Sequence, residues 1–250
     1  MDFLDLTFGA PEENLACDEA LLHWREQNGG NGILRFWESP KTFVVLGYAN
    51  KIGAEVNVAR CEAERIPVLR RCSGGGTVLQ GAGCFNYALI LPITANSALS
   101  AISGANKYIM NRNGTAIQSM AGKSLSIQAR GCTDLAAAVG SPAVFRKFSG
   151  NSQRRHKAFL LFHGTFLLNF DLERIGKYLL PPSRQPDYRQ GRGHRDFLMN
   201  LSFPASAVKE AMMKIWNAGT PLRAPPLDLI SAMARDKYST RQWNEKFFDL

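Results

Sequence analysis

Residues 70–79 read Arg70-Arg71-Cys72-Ser73-Gly74-Gly75-Gly76-Thr77-Val78-Leu79. Two arginines and a serine stand before three successive glycines, and an apolar run typical of a β-strand follows. Each glycine loses backbone entropy on folding and adds no side chain to a core, so such a cluster is typical of backbone that approaches a ligand closely. The arginines add fork-shaped donors that fit phosphate or carboxylate. The same residues also fit a glycine-rich hairpin beside an incidental basic pair.

A second motif occupies residues 146–155, which read Arg146-Lys147-Phe148-Ser149-Gly150-Asn151-Ser152-Gln153-Arg154-Arg155, and His163-Gly164-Thr165 follows within an apolar run. Together the two stretches resemble the lipoate–protein ligase family, the lipoyl and octanoyl transferases related to biotin ligases. They match that family's RRxSGGG loop, its KxSG-x-x-Q-R-R segment and its HGT-x-L strand. Further matches at 13–22, 34–38, 44–47 and 237–243 extend the resemblance over nearly the whole chain.

The resemblance implies a fold. We expect an α+β catalytic domain of the class II aminoacyl-tRNA synthetase and biotin ligase type, with a mixed, largely antiparallel sheet flanked by helices. The apolar periodicity predicts helices over 14–26, 97–120 and 172–180, and strands over 33–37, 43–46, 67–71, 85–91, 125–129, 133–139 and 159–170. Residues 1–250 are expected to form a single domain, with helices in 204–250 packed on the same body and no accessory domain.

Composition limits the class of protein. The chain has 250 residues, of which 45% are hydrophobic and 20% charged, as in soluble globular enzymes. No apolar run is long enough to span a bilayer, and the acidic N-terminus lacks the basic segment of a secretory signal. Five cysteines form no C-x-x-C pair, and the four histidines show no metal-ligand spacing. We therefore expect a cytoplasmic protein with reduced thiols and no protein-built metal site.

The net charge of +9 indicates an acidic partner. A basic balance is common in nucleic-acid-binding proteins, so a nucleic-acid-binding module stays as one hypothesis. The positive charges are dispersed, however, with clusters only at 154–157 and 189–195, and they would steer an acidic protein equally well. The resemblance implies an acidic lipoyl carrier domain as this partner, with no nucleic acid and no membrane. The polar basic loop from 181 to 195 is expected to cover a site or partner surface, or to be merely solvated.

The resemblance also implies the roles of individual residues. Lys147 matches the family lysine that contacts both the acyl carbonyl and the phosphate of an acyl-adenylate. The residues predicted to hold this adenylate are Arg71, Ser73, Gly74, Gly75, Gly76, Thr77, Val78 and Leu79. Those predicted to bind substrate are Arg70, Asn86, Gly150, His163 and Gly164. Taken without the resemblance, Lys147 is an ordinary surface lysine beside a turn, and His163 is expected to hydrogen-bond a neighbouring loop rather than transfer protons. Either Asp18 or Glu19 is expected to anchor an arginine.

Two features depart from the family pattern. Gln80-Gly81 stands where lipoate ligases usually carry a His-Asp pair, which weakens the prediction of metal binding and adenylation. Cys132 lies fifteen positions before Lys147, in the region where the cysteine octanoyltransferases keep a nucleophilic cysteine. Arg130 and Lys147 would favour its reactive thiolate form, and the thiolate would then hold an acyl thioester. The alternative is a small buried thiol packed at the start of a strand.

The predicted function is attachment of lipoate or octanoate to a specific lysine of a lipoyl carrier domain. ATP and Mg²⁺ are the expected cofactors, and a separate polypeptide would supply any accessory subunit. The first alternative is an ATP-independent octanoyltransferase that uses Cys132 and takes its acyl group from an acyl carrier protein. A biotin ligase is disfavoured because no GRGRxxR segment precedes the lysine motif. A catalytically silent binder of lipoyl domains remains a third hypothesis.

Overall fold

A computed structural model describes residues 1–95, 97–182 and 184–247. In these ranges the strands are β1 Asp2–Asp5, β2 Ile33–Trp37, β3 Phe43–Leu46, β4 Val68–Arg70, β5 Val78–Gln80, β6 Cys84–Pro92, β7 Ser126–Arg130, β8 Asp134–Val139, β9 Val144–Arg155, β10 Phe159–Leu167 and β11 Thr220–Pro221. The α-helices are α1 Pro11–Asn28, α2 Ile52–Glu55, α3 Val58–Ala63, α4 Ile102–Ala121, α5 Glu173–Tyr178, α6 His194–Phe197, α7 Ala205–Trp216, α8 Leu227–Met233 and α9 Arg241–Asn244. None of the described helices is long and apolar enough to cross a membrane.

The strands form two sheets. The larger has the order β11-β1-β2-β6-β10-β9-β8-β7, with parallel pairing of β1 to its two neighbours and antiparallel pairing elsewhere. The smaller has the order β4-β3-β5. The predicted α+β fold with a mixed, largely antiparallel sheet flanked by helices is therefore confirmed. The glycine-rich residues 71–77 join β4 to β5 in the small sheet, while Lys147 lies on β9 of the large sheet.

Helix α1 illustrates how the local sequence sets an element. Pro11 occupies the first turn, where its missing N–H costs nothing, and Glu12 and Glu13 follow where negative charge complements the helix dipole. The helix ends at Gly29, which has φ +66°. Its buried face packs against β10 and β6 in the large sheet. This packing brings Asp18 on α1 close to the middle of β10.

The predicted strands at 33–37 and 43–46 are confirmed to the residue, and those at 85–91, 125–129 and 133–139 differ from the observed strands by one residue at one or both ends. The long helix is shorter than predicted, because it begins at Ile102 rather than at residue 97. Ser97 and Ser100 direct their hydroxyls to the carbonyls of Thr94 and Ser97, which stabilises turns in place of a helical start. Strand β1 and helices α2 and α3 were not predicted, and no element was assigned to the residues of β9.

Candidate functional site

A cavity of about 480 Å³ lies between the two sheets. On one side is the loop of residues 71–77 in the small sheet, which we call the glycine loop, and on the other are strands β8, β9 and β10 of the large sheet. Residues 184–198, which we call the cover segment, form a further wall. The apolar part of the lining includes Leu15, Trp37, Val45, Val78, Leu79, Leu167, Ile175, Leu179, Pro182, Pro186, Phe197 and Leu198. Cavities of this size, mostly apolar with a few convergent polar groups, are typical of small-molecule sites. A larger open groove of about 600 Å³ beside α4 is lined by uncharged residues.

The glycine loop is open on its outer side. Gly75 has φ +86°, and its carbonyl lies where a side chain on Gly47 would have to be, so both positions require glycine. Gly74 and Gly76 have no positive φ, and a Cβ atom built on either would meet nothing within 4 Å. The fold itself therefore does not demand these two glycines. Gly76 and Thr77 line the cavity, so the bare backbone leaves room for a molecule that approaches closely.

Arg71 supports the loop from beneath. Its guanidinium donates to the carbonyls of Gly74 and Gly76, at 2.5 and 2.8 Å, and to Ser73 Oγ at 3.1 Å. Burial lowers the pKa of Arg71 to about 10, so the side chain stays charged at neutral pH. No ion pair among the described residues involves Arg71. Since an unpaired buried charge is costly, this cation on the cavity wall favours an anionic ligand.

Lys147 faces the same cavity because of a β-bulge. Leu135 pairs with Ser149 and Ala136 with Lys147, which leaves Phe148 without an opposite residue. In a regular strand, Lys147 would face away from Gly150, three positions later. The bulge moves it onto the face of Gly150 and Asp134. Its Nζ lies 2.7 Å from Asp134 Oδ1, and the side chain keeps 25% of its surface exposed.

Gly150 makes room for this lysine. A Cβ atom on Gly150 would lie 2.7 Å from Nζ and 2.8 Å from Cε of Lys147. Tyr188 of the cover segment donates to the second carboxylate oxygen of Asp134 at 2.9 Å. Asp134 thus links the lysine to the cover segment. The sequence motifs indicate no role for Asp134, although it lies two positions after Cys132, for which they do.

Cys132 lies in the turn between β7 and β8 and lines the cavity. Of the five cysteines, all among the described residues, the other four are buried and Cys132 is exposed. The prediction of a small buried thiol at this position is therefore wrong. The turn is held away from the core because Thr133 donates to the carbonyl of Asn151 at 2.6 Å and Asn151 Nδ2 returns a bond to the Thr133 carbonyl at 2.8 Å.

His163 connects the loop to α1. One ring nitrogen, Nε2, lies 2.6 Å from Ser73 Oγ, and the other, Nδ1, lies 2.9 Å from Asp18 Oδ2. Asp18 also pairs with the buried Arg35 at 2.5 Å, which confirms the prediction that one of the two acidic residues anchors an arginine. Burial alone would raise the pKa of Asp18, but Arg35 and His163 outweigh it and lower the pKa. Ser73 is buried beneath the loop, as this chain of contacts requires.

Arg70 lies in a different place from its neighbour. Its guanidinium is buried and donates to the carbonyls of Gly47, Tyr48 and Asn50 and, at the C-terminal end, to those of Trp243 and Asn244. The structure thus assigns Arg70 to fastening α9 against the small sheet. Arg70 is not among the residues that line the cavity, so the structure does not bring this predicted substrate-binding residue to the site.

Asn86 and Gly164 both line the cavity. Asn86 donates to Gln80 Oε1 at 3.0 Å and accepts from Thr165 Oγ1 at 2.5 Å, so Gln80 is part of a hydrogen-bonded wall. A Cβ atom on Gly164 would collide with Oδ1 of Asn151, which accepts from Tyr87 at 2.6 Å. Glycine at position 164 therefore leaves room for the Asn151 side chain and permits close packing of β9 on β10.

The chain is similar to known proteins in sequence and in fold. Residues 10–214 match the family model described as the lipoyl protein ligase A/B catalytic domain. A putative lipoate-protein ligase A of Aeropyrum pernix is 31% identical over 180 residues, which are 71% of this chain and 61% of that protein. An octanoyltransferase LipM of Carboxydothermus hydrogenoformans is 26% identical over 270 residues, which are 98% of both. The chain thus spans less than two thirds of the first relative but nearly all of the second.

The fold also matches a solved structure. A bipartite lipoate protein ligase of Thermoplasma acidophilum, studied with its E2 lipoyl domain, superposes with a TM-score of 0.80 at 20% identity, covering 100% of this chain and 97% of that one. At that identity the likeness concerns the fold alone, whereas the family match covers most of the chain. The chain therefore belongs to the enzyme family described as the lipoyl protein ligase A/B catalytic domain.

Proposed function

We propose that this enzyme attaches lipoate or octanoate to a lysine of a lipoyl carrier domain, through an acyl-adenylate formed from ATP. The main support is the buried, unpaired cation of Arg71 under a bare glycine backbone that faces Lys147 across an apolar cavity. Such a cavity suits a ligand with an apolar chain at one end and negative charge at the other. A medium-chain acyl group joined to a phosphate has both features.

Lys147 would act on charge that develops during the reaction. In the first step a carboxylate oxygen attacks the α-phosphate and pyrophosphate leaves; in the second the carrier amine attacks the activated carbonyl. Asp134 at 2.7 Å holds the ammonium group in place, and Gly150 leaves the space in front of it open. A donor fixed in this way stabilises an oxyanion by about 3 kcal/mol, because it needs no reorganisation when the charge appears.

The described residues do not fit a protein-built Mg²⁺ site. The carboxylates that line the cavity are Asp18 and Asp134. Asp18 is engaged by Arg35 and His163, and Asp134 by Lys147 and Tyr188. No group of three or more His, Cys, Asp or Glu side chains in the described ranges is arranged to hold a metal. We therefore assign no step to a resident metal.

The exposed thiol of Cys132 on the cavity wall favours a second candidate function, ATP-independent transfer of octanoate through an acyl thioester. The match to LipM along nearly the full chain also supports it. The chain also covers 97% of the bipartite ligase, so similarity in chain length does not distinguish a ligase from an octanoyltransferase. In this route Cys132 Sγ displaces the donor's thiol at the acyl carbon, and the carrier lysine then displaces Cys132 Sγ.

One experiment separates the two routes. A purified lipoyl domain is incubated with the enzyme and either lipoate plus ATP, octanoate plus ATP, or octanoyl carrier protein without ATP, and intact mass is recorded together with pyrophosphate release. Our proposal predicts one added acyl group and equimolar pyrophosphate in the ATP reactions. It also predicts that Cys132→Ser keeps this activity within about threefold, because the Cys132 thiol forms no bond to the acyl group in the adenylate route.

The opposite pattern would support the thioester route. Transfer from octanoyl carrier protein without ATP, its loss in Cys132→Ser and an acylated peptide containing Cys132 would together overturn the adenylate proposal. Brief alkylation provides a control, because the four buried thiols should react far more slowly than Cys132. Absence of transfer from any donor would contradict both routes.

Gly150→Ala is expected to lower acyl transfer about tenfold while stability is unchanged or rises by about 0.5 kcal/mol. The added methyl group would clash with the flexible end of Lys147, while Asp134 Oδ1 lies at an ordinary contact distance of 3.9 Å, so the lysine moves and the strand does not. Transfer rate and thermal midpoint measure the two effects. Gly176→Ala on α5 is the matched control, because a Cβ atom there meets nothing within 4 Å and the site should be unaffected. Equal transfer rates in the two variants would contradict this account of Gly150.

A further inference from the structure

A buried chain of hydrogen bonds runs from the hydrophobic core to the cavity wall. Trp216 of α7 donates to Asn113 Oδ1 of α4 at 2.8 Å, and Asn113 donates to the hydroxyl of Tyr87 at 2.7 Å. Tyr87 in turn donates to Asn151 Oδ1 at 2.6 Å, and Asn151 Nδ2 donates to the carbonyl of Thr133 at 2.8 Å. The chain therefore ends at Thr133, in the turn between β7 and β8.

The direction of this chain is fixed by its first member. An indole N–H can only donate, so the amide oxygen of Asn113 faces Trp216 and its nitrogen faces Tyr87. Burial raises the pKa of Tyr87, so the hydroxyl keeps the proton that it donates to Asn151. A buried polar chain in which every member has its partner holds the surrounding core in one arrangement. The side chain of Asn151 is thus oriented by contacts that begin in α7.

Asn151 lines the cavity, but its amide hydrogens are already engaged. Its Nδ2 atom donates to the Thr133 carbonyl at 2.8 Å and to Ser149 Oγ at 3.2 Å. Its backbone carbonyl accepts from the hydroxyl of Thr133 at 2.6 Å. A ligand that took up either amide hydrogen would have to break one of these bonds. The contacts of Asn151 are therefore directed to the turn rather than to a ligand.

The turn held by Asn151 carries two groups of the candidate site. Cys132 precedes Thr133 and lines the cavity, whereas Asp134 follows it and lies 2.7 Å from Lys147 Nζ. Because Thr133 is bonded to Asn151 through both its carbonyl and its hydroxyl, a shift of the turn would move Asp134 and the ammonium group bound to it. A displacement of about 1 Å at a reacting group lowers a rate by about 100-fold.

We infer that Asn151 is a positioning residue, which sets the location of the Lys147 ammonium group by holding the turn that precedes Asp134. This inference rests on the proposed function, and it holds for either acyl donor because the turn also carries the exposed thiol. Strand pairing does not fix the turn, since Asp134 opposite Gly150 is the terminal pair of β8 with β9 and Thr133 lies beyond it. The side chain of Asn151 supplies the missing contacts.

Asn151→Ala tests this role, with Asn200→Ala as the matched control. Asn200 also holds a backbone segment through its side-chain amide, because it accepts from the N–H of Phe170 at 3.1 Å and donates to its carbonyl at 2.9 Å. It is not among the residues that line the cavity. Each variant loses a comparable pair of bonds, so the thermal midpoint should fall by about 2–4 °C in both.

The kinetic effects of the two variants should differ. We expect Asn151→Ala to lower kcat for acylation of the carrier by about 10–100-fold, because the lysine that stabilises the transition state is displaced. KM for ATP should change little, since the proposed phosphate contacts are on the glycine loop. Asn200→Ala should keep kcat within about threefold of the wild type.

Hydrogen exchange gives a readout that does not depend on activity. The backbone amides of residues 131–134 should exchange faster in Asn151→Ala than in the wild type, and at the wild-type rate in Asn200→Ala. Tyr87→Phe provides a milder variant should Asn151→Ala fail to fold. It removes one hydroxyl and retains the ring that stacks on Phe166, so it should show the same changes in exchange and in kcat to a smaller extent.

Three results would overturn the inference. One is an equal loss of kcat in Asn151→Ala and Asn200→Ala, which would indicate general destabilisation. The others are wild-type kcat in Asn151→Ala and unchanged exchange of residues 131–134 in that variant. Absence of wild-type transfer from every donor would instead contradict the proposed function, and the exchange data would still show whether Asn151 holds the turn.

Discussion

Lys147→Met is expected to lower the rate of acyl transfer to a lipoyl domain by a factor of about 10²–10³, the usual effect of losing one fixed donor to an oxyanion. Methionine retains much of the volume but has no charge to place between Asp134 and Gly150. The loss should appear in kcat and kcat/KM alike, because the donor acts on charge that grows in the transition state. The fold should be preserved, since the lysine is partly exposed.

Arg146→Met is the matched control for this change. Arg146 is the preceding residue of β9 and has no role in the proposed mechanism, so its loss removes a positive charge from the same strand without touching the reacting group. Single-turnover rates of both variants, with circular dichroism and thermal midpoints, provide the comparison. If Lys147→Met transfers acyl groups within about threefold of the wild type, the assignment of Lys147 is wrong.

Arg35→Met is expected to destabilise the protein by about 3–5 kcal/mol, the usual cost of removing one partner from a buried ion pair. Arg35 is fully buried, and besides pairing with Asp18 it donates to the carbonyls of Asn14 and Leu6. Its loss removes one hydrogen bond from each of these carbonyls and leaves Asp18 with His163 as its remaining partner. Urea denaturation measures the change. Arg60→Met is the control, because its pair with Glu64 is largely exposed and screened by solvent, so its loss should change stability little.

The effect of Arg35→Met should depend on pH. In the wild type the pKa of Asp18 is lowered, so its stabilising contribution is present above its unfolded pKa and is lost as the pH falls through the folded value. Without Arg35, His163 is left to offset the effect of burial on the Asp18 carboxylate, so the pKa of Asp18 should rise. Protonation of Asp18 then removes the buried negative charge from the variant. Its loss of unfolding free energy relative to the wild type should therefore be smaller near pH 4.5 than near pH 7. A deficit below about 1 kcal/mol at neutral pH would contradict the role of Arg35.

Local sequence was a good guide wherever an element's own residues carry its signal. The strands at 33–37 and 43–46 are runs of apolar and aromatic residues that match the fully buried positions of β2 and β3. Local sequence did not predict elements whose conformation depends on neighbouring strands or on competing side chains. Strand β9 has a polar sequence, and it is extended because β10 and β8 supply hydrogen bonds along its two sides. Helix α4 begins late because serine side chains compete for the backbone.

The sequence by itself determined the fold class, the family, and the two motifs that meet in the site. The fold class and the family follow from the resemblance that the two motifs carry, and the motifs themselves are residue types within short segments. Only the tertiary structure decided which side chains share the cavity. A single bulged residue, Phe148, turns Lys147 onto the face of Asp134, and burial by other segments separates Arg70 from Arg71. The exposure of Cys132 depends in the same way on packing between residues distant in the chain.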